Sequence, residues 1–212
     1  IRIFIPCGAL YRKSVVKTGG MFKMQVAIIG CGLIGHKRAK VLGDCRLVAC
    51  VDQVLDRAAK LAQQFPGCVA YDDWQKVIAR SDVDIVIVST LHNSLAEITL
   101  AAVAAGKHVL VEKPAARLAK ELDAVIQAAE KNKVLVRVGF NHRYHRAFRK
   151  ARALIDEGAL GELMFLRARY GHGGRLGYDQ EWRANPALSG GGELIDQGVH
   201  LIDLARWILG DF

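Results

Sequence analysis

From Gln25 onward, short and uniformly apolar runs alternate with longer stretches of helical spacing. The runs are QVAIIG (25–30), RLVACVD (46–52), GCVAY (67–71), DIVIVST (84–90), HVLVEK (108–113) and VLVRVG (134–139). None shows the in–out alternation of a strand with one wet face, so each is predicted to be a strand buried on both sides. The stretches between them, residues 33–43, 54–65, 72–80, 93–106 and 115–132, are predicted helices. In the last, Leu118, Leu122, Val125, Ile126 and Ala129 mark one face. Strict strand–helix alternation calls for right-handed crossovers and a doubly wound parallel α/β sheet.

After Gly139 the rhythm changes. NHRYHRAFRKARALIDEG (141–158) reads as one long basic helix and ELMFLRARYG (162–171) as an alternating strand. Residues 172–192 read as an irregular loop, and ELIDQGVHLIDLARWIL (193–209) as a helix. A domain boundary is expected near Asn141, giving a unit of residues 23–140 and a partial α+β unit of residues 141–212. The latter is read as incomplete, since one strand makes no stable sheet. Residues 1–22 are expected to be a disordered arm or to lie upstream of the natural start.

Composition adds limits. Hydrophobic residues make up 51% of the chain and charged ones 24%, ordinary values for a globular protein with a sizeable core. No apolar run reaches the roughly 18 residues needed to cross a bilayer, and the N-terminus has apolar residues before basic ones, the reverse of a signal peptide. A cytoplasmic protein without membrane contact is expected. The five cysteines, Cys7, Cys31, Cys45, Cys50 and Cys68, contain no C-x-x-C pair, which argues against a disulfide framework or a zinc site. Net charge is +9, but residues 1–20 supply four of those charges, leaving a mildly basic +5. Phosphate-bearing ligands fit that balance without demanding nucleic acid. The basic stretch 142–152 has a simpler reading as the wet face of a helix whose apolar stripe is Phe148, Ala151, Leu154 and Ile155, so no nucleic-acid partner is expected.

The strongest motif is Gly30-Cys31-Gly32-Leu33-Ile34-Gly35, which follows a predicted strand and opens a predicted helix. Gly30 permits the tight turn, Gly32 lets a pyrophosphate approach the backbone, and Gly35 lets helix and sheet pack closely. Together these are the fingerprint of a dinucleotide-binding Rossmann fold. The second strand ends in Asp52, twenty residues beyond Gly32, where a carboxylate can accept both hydroxyls of the adenine ribose. That favours NAD over NADP, because a 2′-phosphate at 4 Å would meet ~4 kcal/mol of repulsion at an effective dielectric near 20. Arg57, rotating in, would offset part of that. Ligands of such sheets bind at the carboxyl edge, so Ser89, Thr90, His92 and Asn93 after the fourth strand, and Glu112 and Lys113 after the fifth, are expected to line the same crevice. Lys113 would sit at the nicotinamide end, within reach of a substrate hydroxyl, and Pro114 is expected to start the next helix. Farther on, Asp196 and His200 lie four apart on a predicted helix, an arrangement that suits a carboxylate orienting an imidazole for acid–base work. No ligand set for a metal is present.

Taken in order, the glycine fingerprint, Asp52, STLHNSLAEITLAAVAAGKHVLVEKP, VGFNHRYH and GGGELIDQGVHLIDLARW resemble the glucose-fructose oxidoreductase / inositol dehydrogenase family, Gfo/Idh/MocA, from about Met24 to Phe212. The resemblance implies an N-terminal nicotinamide-binding domain and a C-terminal α+β domain whose open sheet often forms an oligomer interface. It also implies hydride transfer between NAD and a secondary alcohol or ketone of a sugar, cyclitol or nucleotide sugar. Carried over, Lys113 matches the lysine that contacts the reacting hydroxyl and the nicotinamide, and Asp196 and His200 match the acid–base helix. Asn141 is a candidate cofactor contact; Arg143, Trp182 and Arg183 are candidate substrate contacts.

Two departures stand out. Leu91 replaces a proline common in the family and is expected to loosen the loop beside the nicotinamide ribose. The sheet that should follow Phe212 is missing, so the chain is expected to be a fragment of a longer one, binding cofactor without turnover. The competing readings are a reductase of non-sugar substrates on the same fold and a non-catalytic NAD-dependent sensor; the intact Lys113, Asp196 and His200 count against the second.

Overall fold

The computed structural model describes residues 24–171 and 176–211. The expected arm of residues 1–22 and part of the predicted loop, residues 172–175, lie outside them. Six parallel strands, β1 (Gln25–Ile29), β2 (Arg46–Val51), β3 (Val69–Tyr71), β4 (Ile85–Val88), β5 (His108–Val111) and β6 (Val136–Val138), form one sheet. Their order, β3-β2-β1-β4-β5-β6, reverses direction between β1 and β4. That reversal is the switch point at which doubly wound sheets bind ligands, on the edge where all six strands end.

The uniformly apolar runs are explained by two cores, one on each face. Alternate residues of β1 divide between them: Ala27 and Ile29 join Val86, Val88, Val109 and Val111 under Leu95, Ile98, Ala102 and Val103 of α4 (His92–Ala104). Val26 and Ile28 join Leu47, Cys50 and Ile87 under Ala39 of α1 (Leu33–Ala39) and Ala58, Leu61 and Ala62 of α2 (Leu55–Ala62). Leu61 is 1% exposed, and truncating so buried a leucine to alanine costs about 2–5 kcal/mol. Between β3 and β4 runs α3 (Trp74–Ile78), capped by the Asp73 carboxylate, which accepts the Gln75 N–H.

Several expected elements differ. The helix before β6, α5 (Glu121–Asn132), starts at Glu121 rather than Pro114, because the Glu121 carboxylate accepts the backbone N–H groups of Arg117 and Leu118 at 2.9 and 3.2 Å and fixes the helix start there. Leu118 is consequently exposed. The long basic helix is broken into a 3-10 turn, Asn141–Tyr144, and α6 (Arg146–Asp156). His145, in extended conformation, divides the two, and its ring accepts the Ala147 N–H. Residues 162–171 pair with no strand among the described residues, and Met164 and Phe165 are exposed. A β-pattern without a ladder partner does not make a strand. The irregular stretch holds two 3-10 turns, Tyr178–Gln180 and Trp182–Ala184, and the short α7 (Pro186–Ser189). The last predicted helix begins as one π-turn, Leu194–Gly198, before continuing as α8 (Val199–Leu209).

Candidate active site

The glycine turn closes over its neighbour strand. Gly30 has φ +96°, and a Cβ there would lie 2.5 Å from the Ser89 carbonyl oxygen; one on Gly35 would lie 2.1 Å from the Gly30 oxygen. A Cβ on Gly32 would meet nothing within 4 Å. Two glycines are thus required by the chain's own packing and the third leaves space above the turn, which is the fit a pyrophosphate needs. Leu33 and Ile34 open α1 beside that space with exposed side chains and no acid in the first turn. Asp52 sits at the end of β2, its Oδ2 accepting the Cys31 N–H at 2.9 Å and its Oδ1 the Val54 N–H at 3.0 Å. The carboxylate is thereby held against the turn, with lone pairs left over for a diol.

Ser89 leaves β4 and donates its hydroxyl to the Gly30 carbonyl at 2.7 Å, clamping the turn. Thr90 accepts the Ser94 hydroxyl at 2.9 Å. Leu91 has φ −67°, the value proline would impose. Ser94 also bonds its carbonyl at 3.1 Å, so Leu91 is held in the backbone conformation a proline would adopt. His92 and Asn93 belong to the first turn of α4 rather than to the strand end. Asn93 is exposed, whereas His92 is buried, its Nδ1 donating to the Ser189 carbonyl at 2.9 Å and its ring meeting Trp182 edge-on at 4.7 Å. Burial holds the His92 imidazole below its ordinary pKa, so it is a neutral post joining α4 to the Trp182 segment.

Glu112 and Lys113 end β5 and turn to different partners. Glu112 binds Arg38 of α1, with Nε to Oε1 at 2.6 Å. Lys113 donates from Nζ to the Asp196 backbone carbonyl at 2.6 Å and to its Oδ1. The far side of the same carboxylate, Oδ2, accepts Arg183 Nε and Gln197 Nε2, both at 3.1 Å. Burial pushes the Asp196 carboxyl up, but Lys113 and Arg183 outweigh it and hold the group below the usual carboxylate range. Arg183 in turn lies over the Trp182 ring, 4.5 Å from its centroid.

The geometry differs here from the sequence expectation. Asp196 does not hold the His200 ring: its oxygens go to Lys113, Arg183 and Gln197, and His200 Nδ1 is buried without a hydrogen-bond partner. The spacing of four aligns two side chains only on an α-helix. In the π-turn Leu194–Gly198 the backbone closes i to i+5, so that register is lost. His200 instead stacks on His142, with ring centroids 4.0 Å apart and planes at 29°, and meets Phe140 and Tyr170 edge-on. Burial, then His142 and Lys113, push its pKa down to about 4, leaving a neutral imidazole at pH 7 with a free ring nitrogen.

Arg143, the candidate substrate contact, is held from within the chain. Its guanidinium makes a bidentate pair with buried Asp203 of α8, Nε to Oδ2 at 2.7 Å, so it ties the turn after β6 to the helix that carries His200. Asn141 is exposed at the start of that turn. Arg38, His142 and Asp203 were not singled out from the sequence. Asp203 had a signal, three residues beyond His200 and seven beyond Asp196; the other two are brought in only by the tertiary fold. Among the described residues no cluster is suited to a metal ion and no helix is long and apolar enough to cross a membrane.

Comparison with known proteins follows the same outline. A family model described as the Gfo/Idh/MocA oxidoreductase family, NAD-binding Rossmann fold, matches residues 24–140, and one for the Gfo/Idh/MocA C-terminal domain matches residues 148–212. Levoglucosan dehydrogenase of Pseudarthrobacter phenanthrenivorans is 34% identical over 165 residues, 73% of this chain and 40% of its own. Inositol 2-dehydrogenase 2 of Saccharopolyspora erythraea is 32% identical over 192 residues, covering 88% and 54%. Among solved structures, a levoglucosan dehydrogenase in complex with NADH superposes with a TM-score of 0.79 at 28% identity, covering 90% of this chain and 55% of that one. The chain spans about half the length of the curated relatives it matches.

Proposed function

The chain belongs to the Gfo/Idh/MocA oxidoreductase family, and from that premise we propose that it serves an NAD-dependent dehydrogenase acting on a secondary alcohol of a sugar or cyclitol. The observation that carries this reading is the Lys113–Asp196 ion pair beyond the carboxyl edge of the sheet that holds the glycine turn, with buried His200 near enough to feel both charges.

Gly32 and the amides after it would take the pyrophosphate, and Asp52 the adenine ribose. When bound, the nicotinamide supplies the hydride acceptor. The Lys113 ammonium, anchored by Asp196, donates a hydrogen bond to the substrate oxygen and steadies negative charge developing on it. His200, neutral at pH 7, is the group assigned to take the hydroxyl proton as the C–H bond breaks. Asp196 remains ionised between two cations and positions Lys113 rather than the imidazole.

The test follows absorbance at 340 nm while the longer protein expected to carry this chain is offered NAD+ with myo-inositol and with levoglucosan, the substrate classes named by the two relatives. The expected result is NADH formation with one of them. Lys113→Met and His200→Asn should each lower kcat at least about 100-fold. Unchanged rates in both variants would overturn the assignment.

A further inference from the structure

Three of the cysteines converge on the face of the sheet covered by α1 and α2. Cys50, in the middle of β2, is 0% exposed, and its thiol lies between those of Cys31 and Cys68. The Cys50 and Cys68 sulfurs are 3.6 Å apart. Cys31 belongs to the glycine turn, where its Sγ donates to the Val51 carbonyl at 3.3 Å and its N–H is held by Asp52. Cys68 is only partly buried. It follows Gly67, whose φ is +76°, and precedes Val69, the first residue of β3, so it lies outside the ladder.

We propose that Cys68 and Cys50 form an oxidation site for a hydroperoxide, Cys68 as the attacking thiolate and Cys50 as the resolving thiol. The assignment of roles follows from their settings. Cys68 is reachable from solvent, and the hydrogen bond from Cys50 together with the charge of Arg80 favours its thiolate. Cys50, enclosed by the other two thiols and buried, holds its proton. Attack of Cys68 breaks the O–O bond and forms a sulfenic acid, the departing oxygen leaving as water or alcohol with one proton. Cys50 then attacks that sulfur, the S–O bond breaks, and its proton leaves with the oxygen as water. Two thiols have lost two electrons and the peroxide has gained them.

Closing the bridge takes the sulfurs from 3.6 Å to about 2.0 Å. The strand fixes the Cys50 backbone, so the turn after Gly67 supplies most of the movement, while rotation of the Cys50 side chain toward Cys68 draws its sulfur away from Cys31. Cys31 loses a neighbour beneath the nucleotide turn, and NADH binding weakens. This coupling rests on the proposed function; the bridge does not.

The experiment treats the reduced chain with one equivalent of hydrogen peroxide, alkylates it and maps tryptic peptides. Each cysteine falls on a different one, and Cys50 and Cys68 lie in residues 47–57 and 61–76. The expected product is a link between those two peptides, lost in Cys68→Ser. Cys50→Ala should leave a Cys68 sulfenic acid that dimedone traps. Oxidation falling on the other thiols, with no such link and no dimedone adduct at Cys68, overturns the site. For the coupling, the oxidised chain should bind NADH at least about fivefold more weakly, with dithiothreitol restoring it. Equal affinity of a chain shown by mapping to be bridged overturns the coupling alone.

Discussion

Asp196 is the residue on which the site turns, because one buried carboxylate answers two cations. Its side chain is 4% exposed and that of Lys113 17%, so Asp196→Asn strands a desolvated ammonium. Breaking such a pair costs about 3 kcal/mol or more, and urea denaturation should show a loss of that order together with a fall in kcat. The glycine turn separates folding from binding more cleanly. Gly32→Ala should leave stability within about 0.5 kcal/mol, since the added methyl meets nothing within 4 Å. It should weaken NADH at least about tenfold by filling the space meant for phosphate. Gly35→Ala, by contrast, drives a methyl into the Gly30 carbonyl and should lower thermal stability as well. Melting curves and NADH titrations of the two variants would distinguish these outcomes.

Among elements, the six strands were legible because burial on both faces leaves an unbroken apolar run, a signal local to each segment. The glycine turn was legible for the same reason, its constraint being written in adjacent residues. What the sequence hid were consequences of distant contacts. Residues 162–171 have a strand's alternation but no partner among the described residues. The α5 start moved because the Glu121 carboxylate captured two upstream amides. The π-turn at Leu194–Gly198 rotated Asp196 off His200, which no reading of a four-residue spacing foresees. The pairing of Arg143, a candidate substrate contact, with Asp203 joins residues 60 apart, beyond the reach of any local pattern. Asp203→Asn should therefore act through the position of α8. It should lower kcat about tenfold or more by displacing His200 while leaving NADH affinity unchanged, a split that steady-state kinetics and a binding titration would register.

For the molecule as a whole, four imidazoles, His92, His108, His142 and His200, are held below their ordinary pKa, each chiefly by burial. Unfolding frees them to take protons near pH 6.5. Stability is therefore full above that value and falls as pH drops below it, with the His200 contribution continuing to decline down to about pH 4. That residue alone accounts for about 3 kcal/mol between those limits. Urea midpoints from pH 7.5 to 4.5 should decline, and His200→Asn should flatten the slope.

The central claim is that this chain builds a nicotinamide nucleotide site in which Asp52, fixed against the glycine turn, chooses the cofactor. Its most direct test is a fluorescence titration of the chain with NADH and with NADPH, repeated on Asp52→Ala. Saturable binding that favours NADH, with the preference lost in the variant, is the predicted result. A chain that circular dichroism shows to be folded but that binds neither nucleotide, or binds NADPH as tightly as NADH, would contradict it.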